Sequence, residues 1–228
     1  MTSNSLIYGH RGVPVKFPEN SLAGFAYAIG HQIDGLEFDV HLTKDRVPVI
    51  MHDEEINRTT DGMGRIADYT YAELRQFTLA NGEPVPSLKE LLDLVSGEPV
   101  HLNLEFKTDK HYYQGIERIV LQLVQQADLV YPVVFSSFNL RSLERGHEID
   151  SRQKYAFLTS AKLGDPEGFA VAEHLEGLHL EHYQDMQHVS ERVWTVDDPD
   201  ELRELFDKQV SAVITDDFEL AREVRAAI

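Results

Sequence analysis

Gly35-Leu36-Glu37-Phe38-Asp39-Val40-His41-Leu42-Thr43-Lys44-Asp45-Arg46-Val47-Pro48-Val49-Ile50-Met51-His52 is the stretch whose reading decides the fold. Alternation with a period of two over 35–39 puts Glu37 and Asp39 on one face and Leu36 and Phe38 on the other, as in a strand. Between Asp39 and Val47 there is no room for a helix, only for a turn near Lys44-Asp45-Arg46. Residues 47–52 are therefore predicted to return antiparallel, as the second arm of a hairpin.

Working outward, short apolar runs of strand character recur at 6–10, 100–107, 133–137, 154–158, 177–181, 192–196 and 212–215, most of them separated by amphipathic helical patterns. Setting the returning arm aside leaves eight strands, the number required by a TIM (β/α)8 barrel; counting it gives nine. An open doubly wound sheet uses the same alternation, but no glycine-rich loop follows an early strand. The expected fold is α/β, a TIM barrel with a protruding β-hairpin after the second strand.

Helix starts are signalled by Asn20 before Ser21, by Thr70 with Glu73, by Ser87 with Glu90, and by Asp165-Pro166 and Asp198-Pro199. Residues 53–86, with Gly62, Gly64, Gly82, Pro84 and Pro86 around one helix, read as an excursion over the barrel mouth. At 228 residues and 42% hydrophobic content, one domain over 1–228 is expected.

Composition narrows the function classes. With 39 acidic against 21 basic residues the formal charge is −18, which repels polymeric nucleic acid and anionic membrane surfaces. A small anionic substrate remains compatible, because a bound cation and a few local Arg or Lys groups reverse the potential within one cleft. The absence of cysteine removes disulfides, thiolate metal sites and cysteine nucleophiles. Met1-Thr2-Ser3-Asn4-Ser5 runs straight into the first strand without the basic and apolar segments of a signal peptide, so a cytoplasmic protein without stable membrane association is expected.

The chemistry collects at strand ends. Glu37 and Asp39 share one face, and in 100–107 Asn103, Glu105 and Lys107 share another, opposite Leu102, Leu104 and Phe106. Glu37, Asp39 and Glu105 converging in a barrel would repel one another without a cation, and an all-oxygen set suits Mg²⁺ or Ca²⁺ better than zinc. His10 and Arg11 end the first strand, where Arg can grip phosphate oxygens with its planar fork. The hairpin returns His52 approximately opposite Phe38 and Asp39. Two imidazoles flanking a carboxylate cluster suit general acid/base cleavage of a P–O bond. Any one of these acids alone reads as a solvated or ion-paired residue, and His179 and Glu181, sharing a face of the seventh strand, read as a structural pair.

In order and spacing, His10-Arg11-Gly12, Pro18-Glu19-Asn20-Ser21, Glu37-Phe38-Asp39-Val40, Thr43-Lys44-Asp45, His52-Asp53, Arg58-Thr59-Thr60 and Asn103-Leu104-Glu105-Phe106-Lys107 resemble the glycerophosphodiester phosphodiesterase family. Ser136-Ser137-Phe138, Trp194-Thr195-Val196 and Ile214-Thr215-Asp216 extend the likeness over nearly the whole chain. The resemblance implies a TIM barrel, Glu37, Asp39 and Glu105 as ligands of a divalent metal, and His10 and His52 as the acid/base pair. It also implies Arg11 and Lys107 near phosphate, Trp194 as a wall against substrate, and Glu19 and Asp53 as supporting residues. The implied reaction converts a glycerophosphodiester to glycerol 3-phosphate and an alcohol. The stretch between Glu181 and Arg192 is shorter than the crossover usual in such relatives. Two rivals remain: a lysophospholipid phosphodiesterase or phospholipase D-type activity, and a non-catalytic divalent-ion or phosphodiester-binding module.

Overall fold

The computed structural model describes residues 3–228; Met1 and Thr2, the first part of the leaderless reading, lie outside the described residues. Strands β1 (Leu6–His10), β2 (Gly35–Leu42), β4 (His101–Phe106), β5 (Val134–Ser137), β6 (Lys154–Thr159), β7 (Gly177–Leu180), β8 (Ser190–Val193) and β9 (Ala212–Thr215) run parallel. They close into a ring because β1 pairs with both β2 and β9. Strand β3 (Pro48–Ile50) hangs antiparallel on β2, outside the ring, with Val40 opposite Ile50 and Leu42 opposite Pro48. The Met51 N–H donates to the Asp39 carbonyl at 3.2 Å, which carries His52 back to the carboxylate-bearing strand as the hairpin spacing predicts.

Period-two alternation decides which face each strand buries. Leu36, Phe38 and Val40 of β2, and Leu102, Leu104 and Phe106 of β4, face outward into the main core beneath the helices, each at most 2% exposed. Their sequence neighbours Glu37, Asp39, Asn103 and Glu105 therefore point into the barrel. The covering helices are α1 (Leu22–Gly30), α3 (Leu88–Leu94), α4 (Ile116–Gln126), α5 (Leu140–Ile149), α6 (Pro166–Ala172), α7 (Pro199–Asp207) and α8 (Phe218–Ala226), with a short α2 (Tyr71–Leu74) in the excursion. In α4, Ile116, Val120, Leu121 and Val124 form the buried stripe; burial of each such side chain stabilises by about 1.5–3 kcal/mol.

The caps follow the sequence signals, with one revision. Thr70 with Glu73 and Ser87 with Glu90 form complete capping boxes, and Asp165 and Asp198 accept from the first-turn N–H groups of α6 and α7. At α1 the cap is Ser21, whose hydroxyl accepts from Gly24 N–H, while Asn20 adopts a left-handed backbone (φ 58°) and turns its amide to Asp39.

Residues 53–86 carry more structure than the one helix expected. Two 3-10 turns, Ile56–Arg58 and Ile66–Asp68, join α2 around a small core of Val49, Met51, Ile56, Ile66, Leu74 and Val85. No helix stands between β7 and β8. The ring closes regardless, because β7 and β8 pair directly from Gly177 with Ser190 to Leu180 with Val193. Buried His179 meets Arg192 at 3.3 Å, so its partner is that guanidinium and not Glu181. Among the described residues no helix is long and apolar enough to cross a membrane.

Candidate active site

The upper end of β1 turns sharply at His10-Arg11-Gly12. A side chain at Gly9 would place its Cβ 2.3 Å from the Gly12 carbonyl oxygen, so only glycine fits there. Arg11 takes a left-handed backbone (φ 53°), which costs a non-glycine residue roughly 1–2 kcal/mol. The distortion aims its backbone N–H at Glu37 Oε2 (3.0 Å). The guanidinium donates to Glu19 Oε1 (3.1 Å) and lies 3.5 Å from Asp39 Oδ2.

Strand register sets the carboxylates side by side. Asp39 is the partner of Glu105 and Glu37 that of Asn103, so neighbouring strands bring the acids together at the barrel mouth. Oxygens of Glu37, Asp39 and Glu105 lie within 4.8 Å of one another, and the residues are 5%, 1% and 6% exposed. Burial and then the charges of Asp39 and Glu105 push the Glu37 carboxyl well above its usual range. Burial lifts Glu105 to about 7, outweighing Lys107, whose ammonium lies 2.8 Å from Glu105 Oε1. Asp39 behaves oppositely: against the pull of burial, Lys107, His52, Arg11 and the Asn20 amide hold it at about 2. A cluster of three buried acids, two of them disfavoured as anions, fits a divalent cation as its missing partner.

Two histidines stand beside the acids, each oriented by a carboxylate. His10 Nδ1 donates to Asp216 Oδ1 and His52 Nδ1 to Asp53 Oδ1, both at 2.7 Å. A carboxylate only accepts, so each imidazole carries its proton on Nδ1 and leaves Nε2 for chemistry. Burial is the main cause depressing the His52 pKa, which keeps that ring neutral near pH 7. Behind it, Arg58 clamps the mouth by donating to Asp53 (2.7 Å) and to both oxygens of Glu19 (2.7 Å each).

Between the histidines and the acids lies a cavity of about 110 Å³, lined on its polar side by His10, Arg11, Glu37, His52, Asn103, Glu105 and Ser136. Phe138, Leu158, Trp194 and Ile214 make the apolar side, with Phe138 and Trp194 edge to face at 5.5 Å.

The fold thus brings together His10, His52, Arg11, Trp194, Glu37 and Glu105 on one cavity. Asp39 and Lys107 adjoin it through Glu105, with Lys107 also 3.7 Å from Asp39 and 4% exposed, engaged with carboxylates. Glu19 braces Arg11 and Arg58 rather than a helix N-terminus, and Asp53 braces His52. Sequence reasoning read Asn20 only as a helix start, quoted Asp216 only within the likeness at 214–216, and gave His41 no role. Asp216 also carried the signal of its place just beyond the last strand at the rim; the Asn20 and His41 contacts form only when the loops around them pack.

Known proteins resemble this chain in sequence and in fold. Residues 10–220 match the model of the glycerophosphoryl diester phosphodiesterase family. A glycerophosphodiester phosphodiesterase of Caldanaerobacter subterraneus subsp. tengcongensis is 30% identical over 229 residues, covering 93% of this chain and 94% of its own. Among solved structures, a glycerophosphodiester phosphodiesterase from Parabacteroides distasonis superposes with a TM-score of 0.86 at 26% identity, covering 100% of this chain and 99% of that one. A phosphodiesterase of Oleispira antarctica, solved in complex with the product sn-glycerol-3-phosphate, superposes at 0.85 with 27% identity, covering 97% and 96%. The likeness runs nearly end to end: the chain belongs to the glycerophosphoryl diester phosphodiesterase family.

Proposed function

We propose that this protein hydrolyses glycerophosphodiesters to glycerol 3-phosphate and an alcohol, using His10 and His52 as the acid/base pair, with 1–228 acting as one catalytic domain. The observation that carries the reading is the pairing of two carboxylate-oriented imidazoles with three buried acids around one small cavity.

The roles follow from the environments. Neutral His52, its Nδ1 proton held by Asp53, takes at Nε2 the proton of the attacking oxygen, that of water or of the neighbouring glycerol hydroxyl, the cyclic phosphate of the latter route being opened by water. His10, its Nδ1 proton held by Asp216, gives a proton from Nε2 to the departing alcohol oxygen. The Arg11 guanidinium, fixed by Glu19, would hold the phosphoryl group, and Lys107 balances the acids. Glu37, Asp39 and Glu105 would hold Mg²⁺ or Ca²⁺, which when bound offsets the charge of the phosphoryl oxygens.

The test is release of glycerol 3-phosphate from glycerophosphocholine after EDTA treatment, with Mg²⁺ or Ca²⁺ restored, alongside His10→Ala and His52→Ala. Metal-dependent turnover lost in both variants is expected. A strong preference for lysophosphatidylcholine would replace the reading with the lipid phosphodiesterase, and inactivity with every ion and substrate would leave the binding module.

A further inference from the structure

Asn103 is fully buried on β4, lines the cavity, and has an amide oxygen with no hydrogen-bond partner. Its amide nitrogen is committed: one N–H donates to Ser136 Oγ at 2.7 Å and the other reaches the Val134 carbonyl at 3.4 Å. A carbonyl only accepts, so the amide cannot be flipped, and the oxygen remains the free end. Ser136, 1% exposed and also on the cavity wall, accepts the Asn103 bond and keeps its own O–H to give. An acceptor and a donor thus stand side by side, bonded to each other, on one cavity wall. A buried acceptor without a donor costs about 1–3 kcal/mol, so its natural occupant is a group that donates. A phosphate oxygen is excluded, because it only accepts. A hydroxyl matches both atoms, giving its proton to Asn103 and accepting one from Ser136.

Position selects which hydroxyl. Asn103 and Ser136 stand on β4 and β5, level in register with Glu37 and Glu105, and two and three strands round the ring from the β1 end that carries Arg11. With the phosphoryl group at Arg11, a carbon chain crossing the cavity would bring its far end to Asn103 and Ser136. We infer that Asn103 Oδ1 and Ser136 Oγ together recognise the terminal hydroxyl of the glycerol moiety, making the cleft selective for glycerol over a diol one hydroxyl shorter. This inference rests on the proposed glycerophosphodiester reading of the same site.

The experiment compares glycerophosphocholine with the phosphocholine diester of propane-1,2-diol, which keeps the hydroxyl next to the phosphate-bearing carbon and lacks the terminal one. The wild type should favour the glycerol substrate in kcat/KM by roughly 10- to 100-fold, and Asn103→Leu and Ser136→Ala should each collapse that ratio towards 1. Ser136→Ala carries the test should Asn103→Leu fail to fold. Equal losses on both substrates would overturn the inference, as would a weakened affinity of Asn103→Leu for Ca²⁺ in calorimetry without substrate, which would make the amide oxygen a metal ligand. Calorimetric binding of glycerol 3-phosphate against propane-1,2-diol 1-phosphate reads the same ratio without turnover. An inactive wild type would therefore defeat the hydrolase reading, while the hydroxyl pair still stood or fell on the binding ratio.

Discussion

His41 and His52 are joined across the hairpin: the buried ring of His41 donates from Nε2 to the backbone carbonyl of His52 at 3.0 Å. At its other nitrogen, Nδ1 accepts from the Tyr113 hydroxyl at 2.9 Å, so the loop after β4 is tied through His41 to the residue proposed as base. Burial holds the His41 pKa down at about 4, and the neutral ring has one proton to give and one lone pair to receive, both used. His41→Leu should lower kcat roughly tenfold and destabilise the fold by about 1–3 kcal/mol, because the Tyr113 hydroxyl and His52 carbonyl lose their partner. Steady-state kinetics and urea unfolding check both; unchanged kcat would sever the link to His52.

Asp216→Asn should leave substrate binding largely intact and lower kcat by about 10²- to 10⁴-fold, since the amide no longer fixes the His10 tautomer and ring orientation. A change confined to KM would contradict the orientation role.

The acidic cluster predicts a pH dependence of definite sign. Glu37 and Glu105 hold protons in the metal-free fold at a pH where the unfolded chain, near 4.5, has released them. Stability from these groups is therefore full below about 4.5 and lost as pH rises through about 7 for Glu105. EDTA-treated protein should melt at progressively lower temperature from pH 5 to pH 8. Added Ca²⁺ or Mg²⁺ should reverse the trend and release protons on binding. Melting curves with and without metal, and calorimetry in buffers of different ionisation enthalpy, test this; a metal-free protein that gains stability with pH would refute it.

Among the described residues Arg58 alone bonds both Asp53 and Glu19, and so couples the excursion to the Arg11 loop. Arg58→Ala should cost roughly tenfold or more in kcat/KM while leaving the barrel core intact. Hydrogen exchange should quicken in the β1–α1 loop and in 53–60 and stay unchanged in β4 and β5.

The eight-stranded ring, the hairpin outside it and the inward aim of Glu37, Asp39 and Glu105 were legible in the sequence. Strand direction and face are set by alternation over a few residues, and turn length by what fits between Asp39 and Val47, both local properties of the chain. The capping boxes at Thr70 and Ser87 were legible for the same reason. The small core of the excursion was not, because Ile56, Ile66 and Leu74 cluster only once their turns pack on Val49 and Met51.

Within the site, sequence by itself determined the chemical inventory: which acids share a face, and which histidines and which arginine reach the rim. Tertiary structure alone decided how that inventory is tuned. His10 meets Asp216 across 206 residues, Asn103 meets Ser136 across 33, and Asn20 leaves the helix cap to bond Asp39. Three carboxylates of similar intrinsic acidity then diverge, Asp39 falling to about 2 and Glu105 rising to about 7. Alternation is written in neighbouring residues, whereas ionisation depends on burial and on every charge the closed barrel brings within a few ångströms, and those distances exist only after the ring has closed.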